Sequence, residues 1–329
     1  MAETRKPKRR WYRFSLRTLL IAVFVLSLVF GWVGWELEKS RREQVIAKRI
    51  EERAGVSYYD QFLGAPWYSR VFRRVRRVDF EDPQPPFAQY QVAGDDLQQL
   101  TSLASLKSLE LSHAQFGVND LAYLKELGHL EVLELNGSNV TDAGLANLEG
   151  LTALRGVGLR WTDVTDAGIE HLDGLTNLEA LVLSETNVTG AALEHLERLT
   201  KLTTLQLAET QVTDTDLVHL KELTNLKWLS LSKTEITDAG LMHLRGLTNL
   251  EQLSLGHTRI TDAGLMHLKG LKNLDDLYVQ HTQVTAVGLS HLKGLINLDY
   301  LNLNYDQITN EDVEKLEREL PRCDIRWMH

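Results

Sequence analysis

Leucine recurs at positions 106, 130, 154, 178, 202, 226, 250, 274 and 298, nine times at an unbroken interval of 24 residues. Each of these leucines opens an L-x-x-L-x-L segment, such as LEALVL (178–183) or LEQLSL (250–255), with Val157 and Val279 as departures. Downstream, a T-x-[VI]-T-D-A-G-L-x-H-L-x-G-L-T-N stretch is nearly complete at 234–249 and 258–273. A fixed period of this length means that one supersecondary unit is copied along the chain. A single copy cannot bury its own leucines, whereas stacked copies share a continuous core.

Two shorter periodicities set the form of each copy. The last two leucines of L-x-x-L-x-L are two apart, which in a strand sends both to one face. Leu241, Leu244, Leu247 and Leu250 are three apart, the spacing of a helical or 3₁₀ turn. Thr237 suits the cap of that turn and Asp238 its first residues, where a carboxylate complements the helix dipole. Glycines at 144, 168, 240, 264 and 288 predict close approach between neighbouring coils. Strands stack at ~4.8 Å and helices at ~8–10 Å, so the pile curves with its strands inside. The fold class predicted is α/β: a right-handed solenoid over residues 75–329, with a curved parallel sheet inside and short helices outside. ITNEDVEKLERELPRCDIRW closes it, with Val313, Leu316 and Leu320 on a last helix and Ile325 as a final strand position.

The front of the chain is of a different kind. Residues 18–35, TLLIAVFVLSLVFGWVGW, carry no charge, and as a helix they reach roughly 27 Å, close to a bilayer's hydrocarbon core. Trp11, Tyr12 and Phe14 flank one end, and Trp32 and Trp35 the other, as in an aromatic belt. The exit FGWVGWELEK lacks the small residues of a cleavage site, so an uncleaved transmembrane helix is expected rather than a signal peptide. Residues 1–17 form a basic tail. Its seven Lys/Arg, against five within seventeen residues after the span's first polar exit, orient the N-terminus to the cytoplasm and the repeats outside. Residues 36–74 are expected to hold a juxtamembrane helix continuing into solvent (36–53), a strand (56–60), a second short helix (66–73) and thus the N-terminal cap. VRRVDF (75–80) repeats the strand spacing, and EDPQPPF (81–87) must be an irregular excursion. Residues 1–78 hold 18 Lys/Arg against 7 Asp/Glu, and the remainder 18 against 38, within a net charge of −9. A basic front suits membrane lipid, and an acidic body excludes nucleic acid as a partner.

These repeats resemble the leucine-rich-repeat family, in a 24-residue class with Thr where many members have Asn. RWYRFSLRTLL before a single span, followed by this repeat, resembles membrane-anchored repeat proteins of planctomycete-type bacteria. The resemblance implies a scaffold shape shared by members whose ligands differ, and so says little about function.

The residues between and just after the strand leucines point into the hollow. They include Arg160, Trp161, Trp228, Lys233, His257, Tyr278, His281, Tyr300 and Tyr305, with Glu134, Glu185 and Glu209 adding negative charge. Trp and Tyr concentrate at binding hot spots, so Trp161, Trp228, Tyr278, Tyr300 and Tyr305 form the expected contact set for a protein or peptide partner. The competing reading is of single exposed aromatics on a broad sheet. His171, His195, His219, His243, His267 and His291 occupy one position in six successive coils, on the helical side. Rings ~8–10 Å apart cannot share a zinc ion, so no metal is expected; repulsion between them at acid pH is the alternative role. Asn136, Asn139 and Asn187 match the glycosylation pattern as by-products of the repeat. Cys323 reads as a small residue of the closing cap.

No phosphate loop, nucleophile elbow, HExxH or CxxC occurs, so neither enzyme activity nor a cofactor is expected. Two binding classes remain: a module recognising a partner at the cell envelope, or a scaffold organising the envelope by self-association. The repeat half of F-box adaptors is a third, fold-level analogy, without any F-box-like module in this chain.

Overall fold

The computed structural model describes residues 16–54, 57–59, 77–79, 90–117, 119–304 and 308–328. The basic tail, the short helix expected at 66–73, the excursion at 81–87 and Tyr305 lie outside these residues. From Ser108 onwards every coil carries a short strand, and adjacent strands pair in parallel at a register of 24 residues. Leu109 faces Leu133, Leu229 faces Leu253, and Leu301 faces Ile325. Twelve strands form one sheet in chain order, from Ser57–Tyr59 to Asp324–Met328. Only the first pair, Ser57–Tyr59 with Arg77–Asp79, is antiparallel. Val78 pairs with Leu109, 31 residues on, so this coil is seven residues longer than the rest and contains the proline run.

Opposite the strands, each coil turns through a few residues of α-helix, 3₁₀-helix or both. Asp262–Leu265 followed by Met266–Gly270 is representative. The three-residue leucine spacing fits this tight winding. The repeat leucines are fully enclosed from end to end, in one continuous core.

Polar side chains tie the coils to one another. Thr261 donates its backbone N–H (2.8 Å) and its hydroxyl (2.6 Å) to the Asp238 carboxylate of the preceding coil. Thr165, Thr189, Thr237 and Thr285 do the same to Asp142, Asp166, Asp214 and Asp262. The first-turn aspartate therefore holds the next coil, beyond any effect on its own helix dipole. The Thr261 hydroxyl also caps its own helix, accepting from the Ala263 N–H. Gly264 makes room for the clasp, since a Cβ there would lie 2.3 Å from Asp238 Oδ1. On another edge, Asn177, Asn225, Asn249, Asn273 and Asn297 each donate to a carbonyl of the coil before, at 2.8–3.0 Å.

The two ends are closed differently. Helix α1 (Leu16–Ala54) runs 39 residues; beyond its apolar start it buries Ser40 and Glu43 and packs Ile46 against the core. Of the stretch 36–53, expected to extend into solvent, Ser40, Glu43 and Ile46 face inward, and its other described side chains are exposed or half-buried. These three residues share one face of the helix at a helical interval of three. Among the described residues, no helix is long and apolar enough to cross a membrane. The side chains of 18–23 fall outside the description, and the described apolar run, from Phe24, meets Glu36 and Glu38 after twelve residues. At the other end, helix Asn310–Glu319 is capped by Thr309 and Asp312, which satisfy each other's backbone N–H groups. It buries Val313 and Leu316, and the final strand seats Ile325 beneath Leu301.

Candidate functional site

In the three-residue strands from Ser108 to Tyr278 the middle residue is buried and its two neighbours are at least partly exposed, except in Gly156–Gly158, where all three are buried; this makes one ladder of side chains on either side of the leucines. Trp228 opens its strand and stays exposed, and Tyr278 and Tyr300 occupy adjoining strands with ring centroids 5.3 Å apart. Burial and the Asp276 carboxylate raise the Tyr278 phenol above its ordinary value, so it remains a neutral donor.

Four residues after each strand's central leucine the backbone turns through the left-handed region. His113, Trp161, Glu185, Glu209, Lys233, His257 and His281 adopt φ of 55–63° there, and Gly137 holds the equivalent place at 66°. The turn aims each N–H at the next coil and continues the strand ladder. Glu209 donates to Ser232 O at 2.9 Å, Lys233 to Gly256 O at 2.8 Å and His257 to Gln280 O at 2.8 Å. Next comes a buried threonine: the hydroxyls of Thr162, Thr186, Thr210, Thr234, Thr258 and Thr282 donate to the carbonyl three residues earlier at 2.6–2.7 Å. A side chain in the left-handed region costs roughly 1 kcal/mol relative to Gly, yet seven described coils place one there.

Apart from Trp228 and the Tyr278–Tyr300 pair, the described contact residues expected from sequence form two groups. At one, the Arg160 guanidinium lies 4.3 Å over the Trp161 ring and pairs with Glu185. Burial opposes ionisation of Glu185, but hydrogen bonds from Trp161 and Arg160 outweigh it and hold its carboxyl below the usual range. At the other, Lys233 pairs with Glu209 at 2.6 Å, and the His257 and His281 rings stack at 4.1 Å. Desolvation, then the neighbouring His281 and Lys233, lower the His257 imidazole. Trp161 and Trp228 stand three coils apart and do not join. Between the glycine strand (156–158) and its predecessor, Glu134 lies where a Cβ on Gly158 would be, and Asn136 donates to it at 2.9 Å. Burial pushes this carboxyl up.

The left-handed row escaped the sequence reading as a row, because no glycine marks it in most coils. Its signal was the invariant interval between the strand's last leucine and the threonine.

The histidine ladder divides in the middle. His171, His195 and His219 each reach a carboxylate of the preceding coil, Glu149 at 2.5 Å, Asp173 at 3.1 Å and Glu197 at 2.7 Å. For His243, His267 and His291 the equivalent residues are Lys221, Arg245 and Lys269. His267 rests against Arg245; desolvation first and that cation second lower its imidazole. Among the described residues, no group of three His, Cys, Asp or Glu could hold a metal ion. Half-burial and the carboxylates of Asp299, Asp324 and Asp276 push the Cys323 thiol up to about 12.

Leucine-rich-repeat models match residues 224–267 (two copies) and 129–148 (one copy), so these segments are leucine-rich repeats. No curated protein matches the chain. The crystal structure of an internalin (inlF) from Listeria monocytogenes str. 4b F2365 superposes with a TM-score of 0.51 at 20% identity, over 85% of this chain and 93% of that one. This likeness concerns the fold alone. An internalin C2 (inlC2) from the same strain is 26% identical with a TM-score of 0.48, over 64% of this chain and 84% of that one.

Proposed function

We propose that the chain is a non-enzymatic recognition protein, held at a membrane by residues 18–35, whose strand-side hollow binds a protein or peptide at the cell envelope. One observation carries the binding reading. Seven coils keep Trp, Glu, Lys or His in a left-handed turn where Gly would relieve the backbone, as Gly137 does. Persistent strain of this kind, on one exposed row beside the strand ladder, is what a surface selected for its side chains would accept. The flanking Trp228, Tyr278 and Tyr300 supply apolar area, and the Arg160–Glu185 and Lys233–Glu209 pairs pre-order charged groups for a polar rim.

The test is site-specific photo-crosslinking in cells that express the full chain. A benzophenone side chain at His257 or Trp161 is expected to trap a discrete partner that the same group at Met242, on the helical side, does not. Identical adducts from both sides, or none from the strand side, would overturn the reading. The anchor rests on the uncharged run at 18–35 with its aromatic flanks, and the outward orientation on the basic tail. A reporter fused to the C-terminus should be active only outside the cytoplasm; cytoplasmic activity would reverse the orientation. Self-association is a second reading, and one specific pattern on the helical side favours it.

A further inference from the structure

Each coil presents one residue at the end of its helical turn, two positions after the histidine ladder. Read along the stack at intervals of 24, this row is Lys125, then Glu149, Asp173, Glu197, Lys221, Arg245 and Lys269, then Lys293; the strip is its six central members, because the two flanking lysines would face each other across a two-fold axis at its centre. Three acids are followed by three cations, all exposed except the half-buried Asp173. We propose that a second copy of this chain docks antiparallel on this strip, about a two-fold axis between the coils of Glu197 and Lys221.

A two-fold axis reverses the order of the row. Glu197 then meets Lys221 of the second copy, Asp173 meets Arg245 and Glu149 meets Lys269, each pair occurring twice. Such self-complementarity is what an isologous interface requires. The adjacent charges follow the same symmetry: Arg198 beside the last acid and Glu222 beside the first cation exchange under the axis. Beyond the third cation, Lys293 is already paired with Glu319 at 2.6 Å, so the strip ends there.

The charges are available for such pairing. Among the described residues, the ion-pair partners of the three acids are histidine rings and no Lys or Arg. Lys221, Arg245 and Lys269 make no carboxylate ion pair among the described residues. Glu170 and Glu194 add acid to the first half of the face, where the second half has Met242 and Met266, both exposed. Exposed pairs are individually weak and screened by salt, and six of them give an association that salt should dissolve.

The test is sedimentation velocity on the full chain in a non-ionic detergent. The wild type is expected to dimerise at about 50 mM salt and to weaken tenfold or more at about 0.5 M. The variants E149K/D173K/E197K and K221E/R245E/K269E should each be monomeric alone and form a one-to-one pair when mixed. D173K should weaken the dimer and D173K/R245E restore it, because the double exchange keeps the reversed order; circular dichroism confirms folding in each case. A wild type that stays monomeric at low salt would overturn the proposal, as would a dimer indifferent to charge reversal or open-ended oligomers.

Discussion

The threonine after each left-handed turn is a small residue with a fixed task. Its buried hydroxyl satisfies the carbonyl three residues earlier, where many leucine-rich repeats use asparagine. Thr258→Val keeps the shape and leaves Leu255 O without that donor, so it should cost about 1–3 kcal/mol, read as a lower urea midpoint with unchanged slope. Cys323 is the opposite case, a reactive residue type made inert. With its thiol raised to about 12, labelling by a disulfide reagent at pH 8 should run roughly a thousandfold slower than for a free thiol of ordinary pKa. Labelling at the ordinary rate would show that the acidic surroundings do not act on it. His257 and His267 are both lowered by desolvation and neighbouring cations or rings. Each binds its proton more readily in the unfolded chain, so the contribution to stability is full above the ordinary imidazole value of 6.5 and is lost as pH falls below it. The melting temperature is therefore expected to fall between pH 7.5 and 5.5, and replacing both residues with Gln should flatten that slope.

At the scale of the coil, one irregularity tests the rule. The clasp normally places Asp at the first helical residue and Gly 26 positions later, as in Asp238 and Gly264. At 190 and 216 the two are exchanged: Gly190 stands in the aspartate's place and Asp216 in the glycine's, where it accepts from the Thr213 N–H and hydroxyl at 2.8 Å. A Cβ on Gly190 would lie 1.9 Å from the Asp216 carboxyl carbon. Gly190→Asp alone is expected to cost about 2–4 kcal/mol through overpacking and like charge, and G190D/D216G should recover most of that loss. A double-mutant cycle by urea denaturation measures the coupling, and additive losses would refute it. The leucine interval made the strands, the short turns and the core legible from sequence. The clasp was only half legible: Thr and Asp looked like partners within one cap, because contacts between coils span 23 residues and leave no local periodicity.

For the whole molecule, the scaffold was readable, and which side chains meet on the strand side was readable only in part. Stacking follows from spacing alone, so nine leucines at one interval determined register and direction across most of the chain. The surface depends on which side chains meet across coils. Tyr278 and Tyr300 do meet, as residues on adjoining strands must, but Trp161 and Trp228 are separated by three coils despite their common chemistry. The fate of helix α1 was the least legible, since a buried face made of Ser40, Glu43 and Ile46 has no apolar periodicity to announce it. It touches the helix Gly94–Leu100 and the strand Ser57–Tyr59, at the open end of the stack. The left-handed turn bears on how such a chain can change. Its backbone N–H binds the next coil whatever side chain is attached, so exchanging that side chain rewrites the surface one coil at a time. Surface chemistry and coil stacking are thus decoupled at these sites.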